Sequence, residues 1–566
     1  MRLSPPTRAL LAAAVFGLAV AIGCTGVIDD PGTPGGGGTA GPGGLDRPGG
    51  GGTLTPAECA AEIRPGKLPP LVRLTRDEYD NTVRDLLGDD TRPARSFPRD
   101  ETLLGFELGA TVSPVHLELY MSAAEDLAAS ASVASLVAPH CDIAAMDDAC
   151  AREVIHAFGL RAYRRPLEPA QVDRLLTVYR AGIADGPDTA MRMVIEAMLQ
   201  SPYFLYRVEL GVADPAAADD VVPLTAWERA SRLSYLVWAS MPDDVLLAAA
   251  AADELATADQ LAAQARRMVE DPKAQGAMRD FYLRWLELDL SSVSKDPELF
   301  PEFDDALARS METEIAMRID HVLWEGEGTF AELMTAPYTF VDGRLAELYG
   351  IDGVTGDEFV QVDLDPAERP GLLTLPGLMA MHSHTNQSSP VLRGKFIRER
   401  ILCQHLPQPP PDLVVTAPEP TEGQSTRDRF ERHRSDPSCS SCHQLMDPIG
   451  YGFETFDAIG RFRTSDEGVA IDSSGEIVST PTTDGTFADT AELIDVLSNS
   501  EDVQRCVTVQ WVRNALRRPE GTEDQCGIDQ VQRAFEESGH DLRELIVALV
   551  QSDLFMYRRA GGSEAP

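Results

Sequence analysis

Positive charge is scarce in this chain of 566 residues: 49 Lys and Arg stand against 90 Asp and Glu, a formal net charge of -41. Such a surface repels phosphate backbones, so no nucleic acid is expected as a partner. Long apolar runs are missing beyond the first few tens of residues, and no later segment is expected to span a bilayer. There is no Gly-x-Ser-x-Gly elbow, no His-Glu-x-x-His pair and no phosphate-cradling glycine loop, which removes the commonest hydrolase and nucleotide-binding chemistries. Cysteine is also sparse, nine residues in all, and only one pair stands three apart. A structural zinc site would need a second such pair, and beyond His433 and His443 only single cysteines remain to supply it.

The one close pair lies in Cys439-Ser440-Ser441-Cys442-His443. Two thiols one helical turn apart, with a histidine directly after them, form the pattern in which cysteines bond to haem vinyl groups and the imidazole ligates the iron. One covalently attached haem c is therefore the expected cofactor, with Cys439 and Cys442 as anchors and His443 as the proximal metal ligand. An ordinary disulfide, a shared metal or a thioredoxin-like pair are the competing readings, the last weakened by the lack of a βαβ pattern around the motif. The Pro448 carbonyl is the expected acceptor for the His443 Nδ1–H. Met446, three residues past His443 on the same helix, is expected to pack rather than to ligate.

Candidates for the opposite face of the iron lie upstream, where Met379-Ala380-Met381-His382-Ser383-His384 offers two imidazoles and two thioethers. His382 and His384 are the preferred metal ligands there. Met379 and Met381 are the lesser candidates, and if none of the four binds, the iron is open to peroxide or oxygen. From Val391 to Leu402 the apolar residues share one face of a helix, and Arg393, Lys395, Arg398 and Arg400 fall on the others. Arg393 is the candidate partner for a haem propionate or a distal pocket, whereas Arg398 and Arg400 are expected to be solvated. Pro407 to Pro411 reads as a stiff spacer.

Arg2 and Arg8 precede an apolar run, Ala9 to Ile22, ending in Gly23-Cys24. This reads as an export signal with lipidation at Cys24. Thr25, rather than Asp, follows, so the expected location is the outer membrane, facing the periplasm or the cell surface, with the lipid anchor as the membrane contact. Residues 25–58 form a Gly- and Pro-rich tether. Six cysteines are then left over, an even number suited to an oxidising compartment. Cys141 with Cys150 and Cys506 with Cys526 are near enough in sequence to pair, which leaves Cys59 with Cys403, one of the fifteen connectivities that six cysteines allow.

Helical signals dominate the remainder. Thr75 with Glu78, Thr225 with Glu228 and Thr257 with Gln260 each read as a capping box before an amphipathic helix, the first stopped by Gly88. Further helices are expected at 281–290 and 306–324, with Trp285 and Trp324 in the core. A repeat is also present. Arg164-Arg165-Pro166 and, some thirty residues on, the segment 194–207 return as Arg517-Arg518-Pro519 and 545–558, with Phe204 and Phe555 as core anchors. Gly468 to Val478 reads as a hairpin; Asp472, Glu476 and Asp484 there match no EF-hand spacing. The expected fold is mainly α: several helical modules, a small β-hairpin insertion and one c-type haem-like domain. The expected divisions are an export signal at 1–24, the tether, helical modules at 59–110 and 111–215, and a central helical domain at 216–352. The Cys-x-x-Cys-His domain at 366–465, the hairpin insertion at 466–500 and a helical module at 501–562 follow.

The order of Leu74 to Gly88, Tyr163 to Leu167, Tyr338 to Gly350 and Ser389 to Lys395, ahead of Cys439 to Arg463, resembles the planctomycete-type cytochrome-associated proteins. These are exported chains built from five successive domains of unknown function. The resemblance implies an exported, redox-linked protein but no known reaction. Electron transfer with an unidentified redox partner is the first expectation. A peroxidase- or oxygenase-like haem oxidoreductase is the second, and a non-haem surface binding or structural lipoprotein the third.

Overall fold

A computed structural model describes residues 71–109, 112–212, 221–406, 417–434 and 437–559, together with Cys59, Pro65 and Gly66. The export signal, Cys24, the tether and the Pro407–Pro411 spacer lie outside the described residues. The described chain is mainly helical, and its strands form six two-stranded antiparallel pairs.

Two strand pairs and the capping boxes next to them reveal the plan. Strand β1 (Leu71–Arg73) leads into helix α1 (Arg76–Leu87), capped by Thr75 and Glu78 and ended by Gly88 at φ 73°. Helix α2 (Asp148–Ala162) then turns at Arg164, φ 57°, into α3 (Pro169–Gly182), α4 (Pro187–Leu199) and strand β2 (Tyr206–Val208), which pairs back onto β1. The second copy repeats this closely. Strand β3 (Val221–Pro223) leads into α5 (Ala226–Trp238), capped by Thr225 and Glu228.

Its closing half follows a long intervening stretch. That stretch contains α6 (Lys273–Trp285), α7 (Asp305–Trp324), α8 (Pro376–Met381), α9 (Pro390–Phe396), α10 (Thr426–Arg434) and α11 (Pro437–Tyr451). Helix α12 (Glu501–Leu516) then turns at Arg517, φ 52°, into α13 (Gln525–Glu537), α14 (Leu542–Gln551) and strand β4 (Tyr557–Arg559), which pairs with β3. The same backbone bond closes both copies: Leu74 N–H to Leu205 O at 2.9 Å, and Leu224 N–H to Met556 O at 3.0 Å. The repeat is thus larger than the C-terminal helical hairpins suggest, because each hairpin docks on a Val-x-Leu-Thr-x-x-Glu segment, 72–78 or 222–228.

Phe204 and Phe555 are fully buried and Tyr206 and Tyr557 half-buried, as the repeat requires. The copies grip each other through buried charge. Glu78 pairs with Arg517, Glu209 pairs with Arg232, and Arg558 Nη1 donates to Glu209 O at 2.9 Å.

Three expectations change. The 281–290 helix is displaced, running Lys273–Trp285 instead. The single hairpin over 468–478 becomes two short ladders, 465–466 with 469–470 and 475–477 with 485–487, because Glu467 and Gly468 both take positive φ and turn the chain early. A helix, Thr490–Ser498, completes this region.

The disulfides also re-pair. Cys141–Cys150 forms as expected, but Cys59 bonds Cys526 and Cys403 bonds Cys506. Helix faces decide this, not sequence distance. Cys506 on α12 is buried against the turn after α9, where its sulfur lies 3.2 Å from Arg400 O, which brings it to Cys403. Cys526 at the start of α13 meets the incoming chain, where Gly66 N–H also donates to Asp524 at 3.2 Å.

A non-reduced peptide map is expected to join the Cys59 fragment to Cys526 and the Cys403 fragment to Cys506; a Cys506–Cys526 fragment would contradict the fold. Cys59→Ser is expected to lower stability by about 2–5 kcal/mol, read from chemical denaturation, because the bridge closes a loop of several hundred residues.

Candidate functional site

Helix α11 carries the Cys-x-x-Cys-His motif from Pro437, a residue suited to a first turn, to Tyr451. The expected helical setting of the motif is therefore present, although the Cys439 side chain lies outside the described residues. Ser441 and Gln444 are exposed, and Cys442, a free thiol, and His443 are half-buried. Leu445, Met446, Asp447 and Ile449 are buried.

The buried side of α11 is set by an unusually close crossing with α9. Gly394 lies against the Met446 carbonyl and Gly450 against the Pro390 carbonyl, so that a Cβ at either glycine would collide with backbone. Arg398 then fastens the crossing, its Nε donating to Leu445 O at 2.7 Å. Met446 packs with Leu406 and Leu445, in the structural role expected of it, and Val391, Cys442 and Val478 border that cluster.

The partner of His443 differs from expectation. Its Nδ1 lies 3.0 Å from both carboxylate oxygens of Asp447, whose side chain is fully buried. Side chains on a helix lean toward its N-terminus, so a carboxylate four residues on leans back over the imidazole. The Pro448 carbonyl instead faces Gly475 of the following hairpin, where a Cβ would strike it. The bond to Asp447 holds Nδ1 and fixes the orientation of the ring.

The arginines are also relocated. Arg393, Arg398 and Arg400 are all buried, the last two against the expectation of a solvated face. The chain widens from α-helix into a π-turn at Ile397–Ile401, so the regular helical wheel no longer assigns faces there. Arg393 donates to Phe453 O at 2.6 Å, Phe456 O at 2.9 Å, Asp457 O at 2.7 Å and Ser383 Oγ at 2.9 Å. Its Nη groups thus clamp two loops rather than waiting for a propionate. Arg398 also reaches Gln404 and Val478 O, and Arg400 reaches Leu104 O at 2.7 Å and Glu287 at 3.1 Å. Burial pulls Arg393 and Arg398 down to about 10.

His382 and His384 part company. The His382 ring stacks on Phe396 with centroids 4.2 Å apart. Phe396 lies roughly 200° around the helix from Gly394, the α11-facing position, so His382 sits across α9 from the motif helix. The structure does not bring it to His443. Its Nε2 is buried without a hydrogen-bond partner among the described residues. Its pKa is pushed down to about 3, chiefly by burial and then by Arg393, Arg400, Lys295 and Lys395.

His384 instead lines a cavity of about 710 Å³ with Asp289, Asn386, Gln387 and Glu419. Its carbonyl accepts from the buried Lys295 Nζ at 3.0 Å, an amine lowered to about 7 by burial and by Arg393. Among the described residues no cluster of three His, Cys, Asp or Glu is arranged for a metal ion. No described helix is long and apolar enough to cross a membrane.

The signal that sequence reasoning missed is Asp447, four residues past His443 on the same helix face. The donor set at 439, 442 and 443 fits a covalently held haem. The three residues share one helix, the His443 imidazole has a held Nδ1, and apolar Val391, Leu406 and Val478 border the cluster beside Cys442.

Gly394→Ala is expected to cost about 1–3 kcal/mol through overpacking at the α9–α11 crossing, measured by denaturation, with Gly450→Ala behaving alike. The pH dependence follows from His382. An unfolded His382 binds a proton near pH 6.5 and the folded one only near 3, so stability falls as pH drops through that window. His382→Phe is expected to flatten this part of the melting-temperature profile between pH 7 and 4; an unchanged slope would contradict the buried neutral ring.

Family models of unknown function match the chain in succession. They cover 73–133 (DUF1587), 150–209 (DUF1595), 224–351 (DUF1592), 369–466 (DUF1588) and 484–555 (DUF1585). The model over 369–466, which spans α8 to α11, has the short name PSCyt3, a pointer to cytochrome association. No curated protein and no solved structure matches the chain. Taken in order, the five domains show that the chain belongs to the planctomycete-type cytochrome-associated multidomain family.

Proposed function

We propose that this protein is an exported lipoprotein that holds one covalently attached haem on α11 and transfers electrons to or from a redox partner. The observation that carries this is the Cys-x-x-Cys-His segment on one helix with the His443 Nδ1 held by Asp447. In this reading the Cys439 and Cys442 thiols add across the two vinyl groups to form thioethers, and His443 Nε2 ligates the iron. A bound haem supplies reversible one-electron chemistry. Asp447 fixes the imidazole orientation, and the α9–α11 crossing fixes the helix that carries all three attachment residues.

The six remaining cysteines form three disulfides, which supports a folding environment outside the cytoplasm. Lipid on Cys24 would tether the body to the outer membrane through residues 25–58, and the formal charge of -41 argues against a nucleic-acid partner.

Co-expression with a cytochrome c maturation system is expected to add the mass of one haem to the intact protein, and Cys439→Ser with Cys442→Ser to abolish that gain. An unmodified mass with both thiols alkylatable would refute the haem reading. Cys24→Ala is expected to move the protein from the membrane fraction to the soluble periplasm; unchanged membrane association would refute the lipid anchor.

A further inference from the structure

We propose that Asp447 is a positioning residue that makes His443 a strongly donating, imidazolate-like ligand and so sets a low reduction potential for the bound haem; this rests on the haem reading above. Three observations support it. Both Asp447 oxygens lie 3.0 Å from Nδ1, so the contact is with a carboxylate and not with a neutral carbonyl. The Asp447 side chain is fully buried, which removes the water that would otherwise weaken its field. Among the described residues His443 is its one hydrogen-bonding partner, and none of the described arginines or lysines pairs with it.

The physical consequence runs through one proton. A carboxylate that accepts the Nδ1–H draws that proton toward itself, in a charge-assisted bond stronger than a neutral one. Electron density on the ring rises and Nε2 becomes the better donor. A better donor favours the ferric over the ferrous ion, because the more highly charged metal gains more from it, and the potential falls. A backbone carbonyl at the same place would polarise the ring less. The position of Asp447 one turn past the ligand therefore gives this haem a lower potential than a partner such as Pro448 would give.

The test uses full-length protein matured with haem, carrying Asp447→Asn or Asp447→Glu. Intact mass reports attachment, and spectroelectrochemistry reports the midpoint potential. Asp447→Asn is expected to keep the haem mass but to shift the potential upward, and Asp447→Glu, which restores the charge, to recover part of the wild-type value. In the reduced wild-type protein, the iron–imidazole stretch in resonance Raman spectra is expected at the high frequency of a carboxylate-bonded histidine; this needs no variant and so survives a folding failure of the mutants. A haem-loaded Asn variant with an unshifted potential, or a wild-type stretch at the frequency of a carbonyl-bonded histidine, overturns the role of Asp447 alone. A wild-type protein that gains no haem overturns this proposal and the haem reading together.

Discussion

The closest backbone approach around the motif, α9 against α11 at Gly394 and Gly450, governs the rest of the candidate site. With no side chain at either crossing point, the α11 backbone settles onto α9, and this decides which of its faces is inside. Leu445, Met446, Asp447 and Ile449 go inward, while Cys442 and His443 stay at the rim. Burial of Asp447 is a consequence of that choice, and so is its bond to His443. A Cβ at either glycine would push the helices apart and loosen the carboxylate, the imidazole and the thiol together.

The scarcity of positive charge has an internal counterpart. Several arginines are spent inside the protein, where they hold main-chain carbonyls in place of solvent. Arg318 reaches Tyr338 O and Ala336 O, Arg164 reaches Tyr203, Phe204 and Tyr206 O, and Arg393 ties the 379–383 and 453–457 segments. A planar fork of donors suits this work, since each guanidinium satisfies carbonyls that loops would otherwise leave unpaired. The outer surface is left more acidic than composition alone implies.

Much of this was legible from the residues. All three capping boxes form, because the cap geometry is local and needs no partner from elsewhere. The motif is helical, Met446 packs, and Phe204 and Phe555 anchor the two repeat copies. What failed was non-local. The disulfide partners depend on which helix faces meet, and the solvation of Arg398 and Arg400 depends on a π-turn that breaks the regular wheel. His382 looked available because the sequence does not show its ring stacked on Phe396 of α9. Asp447 was readable in principle, as an i, i+4 neighbour of His443, whereas the Pro448 carbonyl is turned toward Gly475 by a contact that the sequence does not show. The full extent of the repeat was hidden because its opening strand and helix stand far from its closing hairpin.

The central claim is that α11 carries a haem bonded through both thiols with His443 as ligand. The most direct measurement is the pyridine haemochrome spectrum of the protein purified from its native host, compared with that of a Cys439→Ser variant. Two thioether bonds predict the α-band of a doubly attached haem c in the native protein and a red-shifted band from the single-cysteine variant. A spectrum without any haemochrome, or one extracted intact into acidified organic solvent as non-covalent haem, would contradict the account.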